Sequence, residues 1–156
     1  MRHSAKSVRT KSRIYGKGLK SPTPKPAENG QRSETVIIPF RLTGLNEYID
    51  AERTNRFKAA KLKREMQDAM IPVFASAINR GELHRHETKC RLNIEWTEGN
   101  QRRDGDNISF ANKFIQDALV ECGVFPDDSR KYITELHHIF ITSNDYQVEI
   151  TIEEIE

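Results

Sequence analysis

A chain of 156 residues with 36% hydrophobic and 31% charged residues is long enough for one domain with a modest hydrophobic core. No run of about 18 apolar residues is present, and no apolar stretch follows the basic N-terminus, so we expect neither a membrane-spanning helix nor a secretory signal. Two cysteines, Cys90 and Cys122, are too few for a disulfide framework, which predicts free thiols in a reducing cytoplasm.

The net charge of +2 is divided unevenly along the chain. Residues 1–34 have a net charge of +7 and include the proline-rich run SPTPKP, whereas residues 35–156 have a net charge of −5. This composition predicts a flexible basic arm at 1–34 and one folded domain at 35–156. Such an arm attracts polyanions without sequence preference, and an unstructured leader with no specific role is the alternative.

The folded part begins with a β-rich run and continues into a long helical run. Residues 35–42 predict a first strand, in which Pro39 indicates an edge position or the strand end. From Leu45 to about Asn79 apolar residues recur every three to five positions, which predicts a helix that Pro72 kinks or divides. The recurring apolar set includes Phe57, Leu62, Met66, Ala69, Val73 and Ala77.

The second half of the chain predicts one more helix and three strands. Residues 89–96 alternate apolar and polar side chains, which is typical of a strand with one buried face. An amphipathic helix from about Ile108 to Cys122 follows, and strands are predicted at 132–142 and 147–155. The order β-α-β-α-β-β indicates an α+β domain, in which helices pack on one face of a single mixed β-sheet.

The polar loop between the second strand and the second helix has the sequence RRDGDN. On an extended backbone Asp104 and Asp106 would point the same way, and two converging carboxylates favour a hard cation such as Mg²⁺. Asp-Gly is also typical of a plain surface turn, and Asp106 or Asn107 could instead cap the following helix. That helix would span roughly 20 Å before Asp127 and Asp128, so spacing alone does not identify a third metal ligand.

Zinc and nucleotide chemistry are poorly supported by the sequence. No zinc-site spacing is found among Cys90, Cys122, His84, His86, His137 and His138. Cys90 falls on the apolar face of its strand, and Trp96 and Tyr132 are interpreted as core or strand residues. No glycine-rich phosphate loop is present, which argues against a nucleotide cofactor.

RRDGDN together with NKFIQDALVECGVFPDDS resembles the signature of the RusA-type Holliday junction resolvases, small endonucleases of bacteria and their phages. The segment GLNEYIDAERTNRFKAAKLK resembles the N-terminal motif of that family, and the tail YQVEITIEE resembles its closing strand. The similarity covers roughly residues 36–155 and is closest to the branch found in phages and prophages of Gram-positive bacteria.

The resemblance implies a Mg²⁺- or Mn²⁺-dependent crossover junction endodeoxyribonuclease, which resolves four-way DNA by paired symmetric nicks in recombination and repair. It implies catalytic and metal-binding roles for Asp104, Asp106 and Asp128, and a catalytic role for Lys113, four residues before the Asp-Ala-Leu element. Counted forward from Asp106, the place of the lysine would hold Phe110, which has no ionic chemistry. A homodimer with one active site per subunit would supply the two nicks.

Basic residues near the acids are expected to contact DNA phosphates. Arg103 adjoins the acids, Lys113 would clamp the scissile phosphate or hold the attacking water, and the helical run adds Arg53, Arg56, Lys58, Lys61, Lys63 and Arg64. Each of the helical residues taken singly is more simply a solvated helix residue. The alternative function is a non-catalytic DNA-binding protein that uses the arm and the basic helix, with the aspartates as turn and capping residues.

Overall fold

Four strands form one mixed sheet in a computed structural model, which describes residues 22–28 and 33–156. The elements are β1 Ser33–Ile38, α1 Leu45–Thr54, α2 Arg56–Asn79, β2 Cys90–Glu98, α3 Gly105–Ser109, α4 Asn112–Glu121, β3 Ile133–Thr142 and β4 Gln147–Glu154. Helices pack on one face of the sheet, so the predicted α+β class is confirmed. Each of the two predicted helical runs is divided in two.

The strand order in the sheet is β1-β4-β2-β3. β4 pairs antiparallel with both β1 and β2, whereas β2 and β3 are parallel. β3 and β4 follow each other in the chain, yet β2 lies between them. β1 is an edge strand that ends at Ile38, directly before Pro39, which is the position that a residue without a backbone N–H favours.

The first helical run is divided at Asn55 and not at Pro72. Asn55 has an extended backbone, and its side chain accepts a hydrogen bond of 2.8 Å from the backbone N–H of Lys58, so it is the N-cap of α2. Pro72 lies on the exposed side of a continuous helix. The prediction that Pro72 would divide the run is therefore wrong.

The core lies between the helices and the face of the sheet that they cover. Cys90 and Trp96 are buried on β2, which confirms their interpretation as core residues. Met66 and Ala77 of the predicted apolar set of α2 are buried as well. Phe57 belongs to the same set but is 73% exposed, so the spacing that predicts the helix does not place this ring in the core.

Part of the segment that was assigned to the flexible arm belongs to the fold. Ser33 and Glu34 are in β1, and the backbone N–H of Arg85 donates to the Lys25 carbonyl at 2.7 Å. The predicted boundary at position 34 is therefore too late in the chain. Residues 1–21 and 29–32 of the predicted arm lie outside the described residues.

No helix in the described part of the chain is long and apolar enough to cross a membrane.

A buried charged cluster joins β1 to the end of β4. Glu34 accepts a hydrogen bond from His86 Nε2 at 2.5 Å and contacts the His84 ring, and His86 Nδ1 donates to Glu154 Oε1 at 2.8 Å. Burial lowers the pKa of His86, but hydrogen bonds with Cys90, Glu34 and Glu154 outweigh burial and raise it to about 10. Burial likewise opposes the charge on Glu34, yet its histidine partners hold the pKa of this carboxyl below its ordinary value.

We expect the free energy of unfolding to fall as the pH rises from about 6.5 to about 10. The unfolded chain releases the His86 proton near pH 6.5, whereas the folded protein holds it until a pH of about 10, so the stabilisation is complete only at the acidic end of this range. Glu34→Gln should flatten the decline because the amide no longer stabilises the imidazolium. Urea unfolding followed by Trp96 fluorescence measures both slopes. The exposed Glu52→Gln should keep the wild-type slope, and an unchanged slope in Glu34→Gln would contradict the assignment.

Candidate active site

The RRDGDN loop packs directly against the start of α1. The backbone N–H of Asn46, in the first turn of α1, donates to Asn107 Oδ1 at 3.0 Å, so Asn107 satisfies one of the N–H groups that a helix start leaves unpaired. Gly44 permits this approach, because a Cβ there would lie 2.5 Å from Asn107 Oδ1 and 2.7 Å from Arg103 Nη1. The segments GLNEY and RRDGDN, which are 61 residues apart at this hydrogen bond, are therefore one structural unit.

Arg103 is directed into the protein. Its Nε and Nη2 donate to the two carboxylate oxygens of Glu98 at 2.8 and 2.7 Å, and its Nη1 donates to the Leu42 carbonyl at 3.1 Å. The side chain is 12% exposed. This two-point ion pair fixes the start of the acidic loop to the end of β2. The expected contact of Arg103 with a DNA phosphate finds no support in this geometry.

Asp104 and Asp106 are both exposed at the start of α3. The Asp104 side chain accepts a hydrogen bond of 3.0 Å from the backbone N–H of Asn107 and is the N-cap of α3. The prediction that Asp106 or Asn107 caps a helix starting at Ile108 is therefore wrong. Asp106 lies in the first turn of α3, where the helix dipole favours a negative charge, so the two acids do not share an extended backbone.

Asp128 is carried back to the start of α4. After α4 the chain reverses at Gly123, whose φ of 84° suits glycine, and the backbone N–H of Val124 donates to the Leu119 carbonyl. The Asp128 carboxylate then accepts a hydrogen bond of 2.9 Å from Nζ of Lys113, the second residue of α4. Although α4 separates these two residues along the chain, the reversal after α4 brings their side chains into contact.

Lys113 stands in a line of alternating charges that runs from α2 to Asp128. Lys63 Nζ is 3.7 Å from Asp117, and Lys113 Nζ is 3.0 Å from Asp117 and 2.9 Å from Asp128. Hydrogen bonds to Asp128 and Asp117 raise the pKa of Lys113, so its ammonium group suits charge stabilisation and not proton abstraction. Asp117 had no predicted role, although its spacing of four residues from Lys113 is typical of a helical ion pair.

Across residues 22–28 and 33–156, no three His, Cys, Asp or Glu side chains are grouped so as to hold a metal ion. Asp104, Asp106 and Asp128 therefore do not form such a group in this structure, and Lys113 is the counter-charge of Asp128. All the donor atoms of the three aspartates are carboxylate oxygens, which suit Mg²⁺ or Mn²⁺.

The basic residues predicted to contact DNA lie at the end of α1 and in the first half of α2. Lys63 is half-buried beside Asp117. The others are exposed: Arg53, Arg56, Lys58, Lys61 and Arg64. The ion pair of Lys63 with Asp117 connects this segment to α4. Residues 53–64, called the basic segment below, are therefore continuous with the residues around Lys113.

No protein-family model matches the chain, and no curated protein is similar enough to match it. The resemblance to the RusA-type resolvases rests on the quoted motifs.

We expect Gly44→Ala to destabilise the protein by about 1–3 kcal/mol, because the added methyl group would overlap Asn107 and Arg103. The free energy of unfolding in urea measures the effect. The exposed Ala69→Ser in α2 should change it by less than about 0.5 kcal/mol. A Gly44→Ala variant as stable as the wild type would show that α1 and the acidic loop are not tightly packed.

Proposed function

We propose that this protein is a metal-dependent endonuclease that cuts four-way branched DNA, with Asp104, Asp106, Asp128 and Lys113 as its catalytic residues. The ion pair of Lys113 with Asp128 carries the proposal, because it returns the most distant of these acids to the first turn of α4. α3 and its two aspartates precede α4 by two residues. At 1.5 Å per residue, a helical path over the seven residues from Asp106 to Lys113 would rise by roughly 10 Å.

Hydrolysis of a phosphodiester requires an activated water and a stabilised leaving oxygen. The three aspartates would hold Mg²⁺ or Mn²⁺, which when bound would lower the pKa of a coordinated water and offset negative charge on the phosphate. Lys113, whose positive charge Asp117 and Asp128 maintain, would stabilise the charge that develops on the scissile phosphate. An arriving phosphate would compete with Asp128 for Lys113, and the freed Asp128 carboxylate would then be available as a ligand.

The basic segment supports DNA as the substrate. Its exposed cations begin at Arg53 and continue along α2, and the half-buried Lys63 forms an ion pair with Asp117 next to Lys113. A polyanion bound along this segment would therefore lead towards the aspartates. The clustering offsets the net charge of −5 of residues 35–156, which by itself opposes DNA binding.

We expect Asp104→Asn, Asp106→Asn and Asp128→Asn each to keep binding to a synthetic four-way junction and to lose cutting by roughly 100-fold or more, because each removes a carboxylate charge from the reaction site. Gel shift without metal measures binding, and nicking of end-labelled strands in Mg²⁺ or Mn²⁺ measures cutting. Asp50→Asn, at an exposed position of α1, is the matched control and should cut at the wild-type rate.

Two outcomes would decide against this function. Nicking by the double variant Asp104→Asn/Asp106→Asn would rule out the proposed site. If the wild type binds the junction but does not cut it in either Mg²⁺ or Mn²⁺, the non-catalytic DNA-binding alternative is favoured.

A homodimer follows from the substrate, since two symmetric nicks require two active sites. Among the described residues β3 is the edge strand opposite β1, and it carries exposed apolar side chains at Leu136, Ile139, Phe140 and Ile141. An unpaired apolar edge favours pairing with another strand, and β3 of a second copy would extend the sheet about a two-fold axis. The Phe140 ring lies 3.1 Å from the position of a Cβ at Gly105, so this edge adjoins the acidic loop.

We expect the wild type to sediment as a dimer at micromolar concentration and Ile139→Lys to sediment as a monomer, because the ammonium group would be buried against the second β3. Ile37→Lys on β1 is the matched control, because Ile37 is 45% exposed and Ile139 is 49% exposed, and they lie on opposite edges of the sheet. It should remain dimeric. A monomeric wild type, or dissociation by Ile37→Lys alone, would contradict the β3 interface.

A further inference from the structure

Phe57 is the most exposed large apolar side chain in the described part of the chain, at 73%. It is the second residue of α2 and follows the extended Asn55 that separates α2 from α1. Large aromatic rings of this kind normally lie in a core or an interface. A single exposed apolar residue is common on a protein surface, so what surrounds the ring decides whether it has a ligand.

The outward direction of the ring is imposed by the fold. Ala59 is 3% exposed and packs into the protein from the first turn of α2. Residues two apart on an α-helix differ by about 200° around the axis, so burial of Ala59 directs Phe57 away from the protein. The Asn55 cap fixes the start of α2 through its hydrogen bond to Lys58.

Basic residues flank the ring along the chain. Residues 53–61 contain Arg53, Arg56, Lys58 and Lys61, and no Asp or Glu. The Arg56 guanidinium lies 5.3 Å from the centre of the Phe57 ring. A hydrophobic protein surface would gain nothing from these cations, whereas a nucleic acid offers phosphates to the cations and a flat base to the ring.

We propose that Phe57 is a base-stacking residue, on which an unstacked base at the branch point of DNA lies while the neighbouring cations bind the adjoining phosphates. The proposal rests on the proposed function, because it names how the same protein distinguishes branched DNA from an intact duplex. Bases in a duplex are already stacked on each other, so Phe57 would contribute to binding only where a branch exposes one. α2 leads from Phe57 to Lys63 with a rise of roughly 9 Å, which brings the stacked base near the line of charges at Lys113.

The test uses a four-way junction with 2-aminopurine beside the branch point, titrated with the full-length protein in EDTA so that no cutting occurs. Stacking quenches 2-aminopurine, so the wild type should quench its fluorescence. Phe57→Ala should abolish the quenching and weaken junction binding by roughly 5- to 100-fold, the range measured for loss of one stacked base. Binding to a linear duplex of equal length should change by less than about two-fold.

Two substitutions at the same position separate stacking from simple apolar contact. Phe57→Trp retains an aromatic face and should quench and bind as the wild type does. Phe57→Leu retains apolar bulk without that face and should behave as Phe57→Ala does. Ile37→Ala removes an exposed apolar side chain from the edge strand β1 and should leave quenching and binding unchanged.

Failure of the inference is distinguishable from failure of the proposed function. If the wild type nicks the junction in Mg²⁺ while Phe57→Ala quenches and binds as the wild type does, stacking is refuted and the endonuclease stands. Wild-type behaviour of Phe57→Leu would show that apolar bulk suffices, and loss of the dimer in Phe57→Ala would show that the ring contacts protein; either result refutes stacking. If the wild type neither binds nor nicks the junction, both proposals fail.

Discussion

The ion pair between Lys113 and Asp128 connects the two ends of α4. The chain reverses after α4, and the pair joins the segment that follows to the first turn of the same helix, so that an acid 15 residues further along the chain lies beside the lysine. Asp117 shares the same ammonium group and also contacts Lys63 of α2. Each carboxylate in this line has a cation beside it, which allows several acids to stand close together at modest electrostatic cost.

The acidic loop is held by contacts that leave its carboxylates exposed. Arg103 and Asn107, which flank the two aspartates, are committed to the fold: one to Glu98 on β2, the other to the start of α1. Because these two neighbours supply the anchoring, Asp104 and Asp106 remain at the surface, where they are accessible to solvent and ligands. This arrangement places both carboxylates on a rigid support, to which Asp104 itself contributes as the cap of α3.

The protein has two charged clusters, one around His86 and one around Lys113, and they differ in how deeply they are buried. Glu34 and His86 are almost fully buried near the start of β1 and the end of β4, both ring nitrogens of His86 are used, and the cluster links these two strands. Lys113 is exposed, and its partners are side chains that an incoming phosphate could replace. The buried cluster therefore makes stability depend on pH, whereas the exposed line is accessible to solvent and to incoming anions.

The sequence by itself determined the strands, the α+β class and the burial of Cys90 and Trp96, because alternation along a strand is a local property of the backbone. It also marked the acidic loop and the segment GLNEY as unusual. Tertiary structure alone decided that Asp128 returns to Lys113, that Glu34 is buried and that Phe57 is exposed. Those outcomes depend on which elements pack together and where a chain reverses, and such long-range contacts leave no periodic signal in the residues that make them.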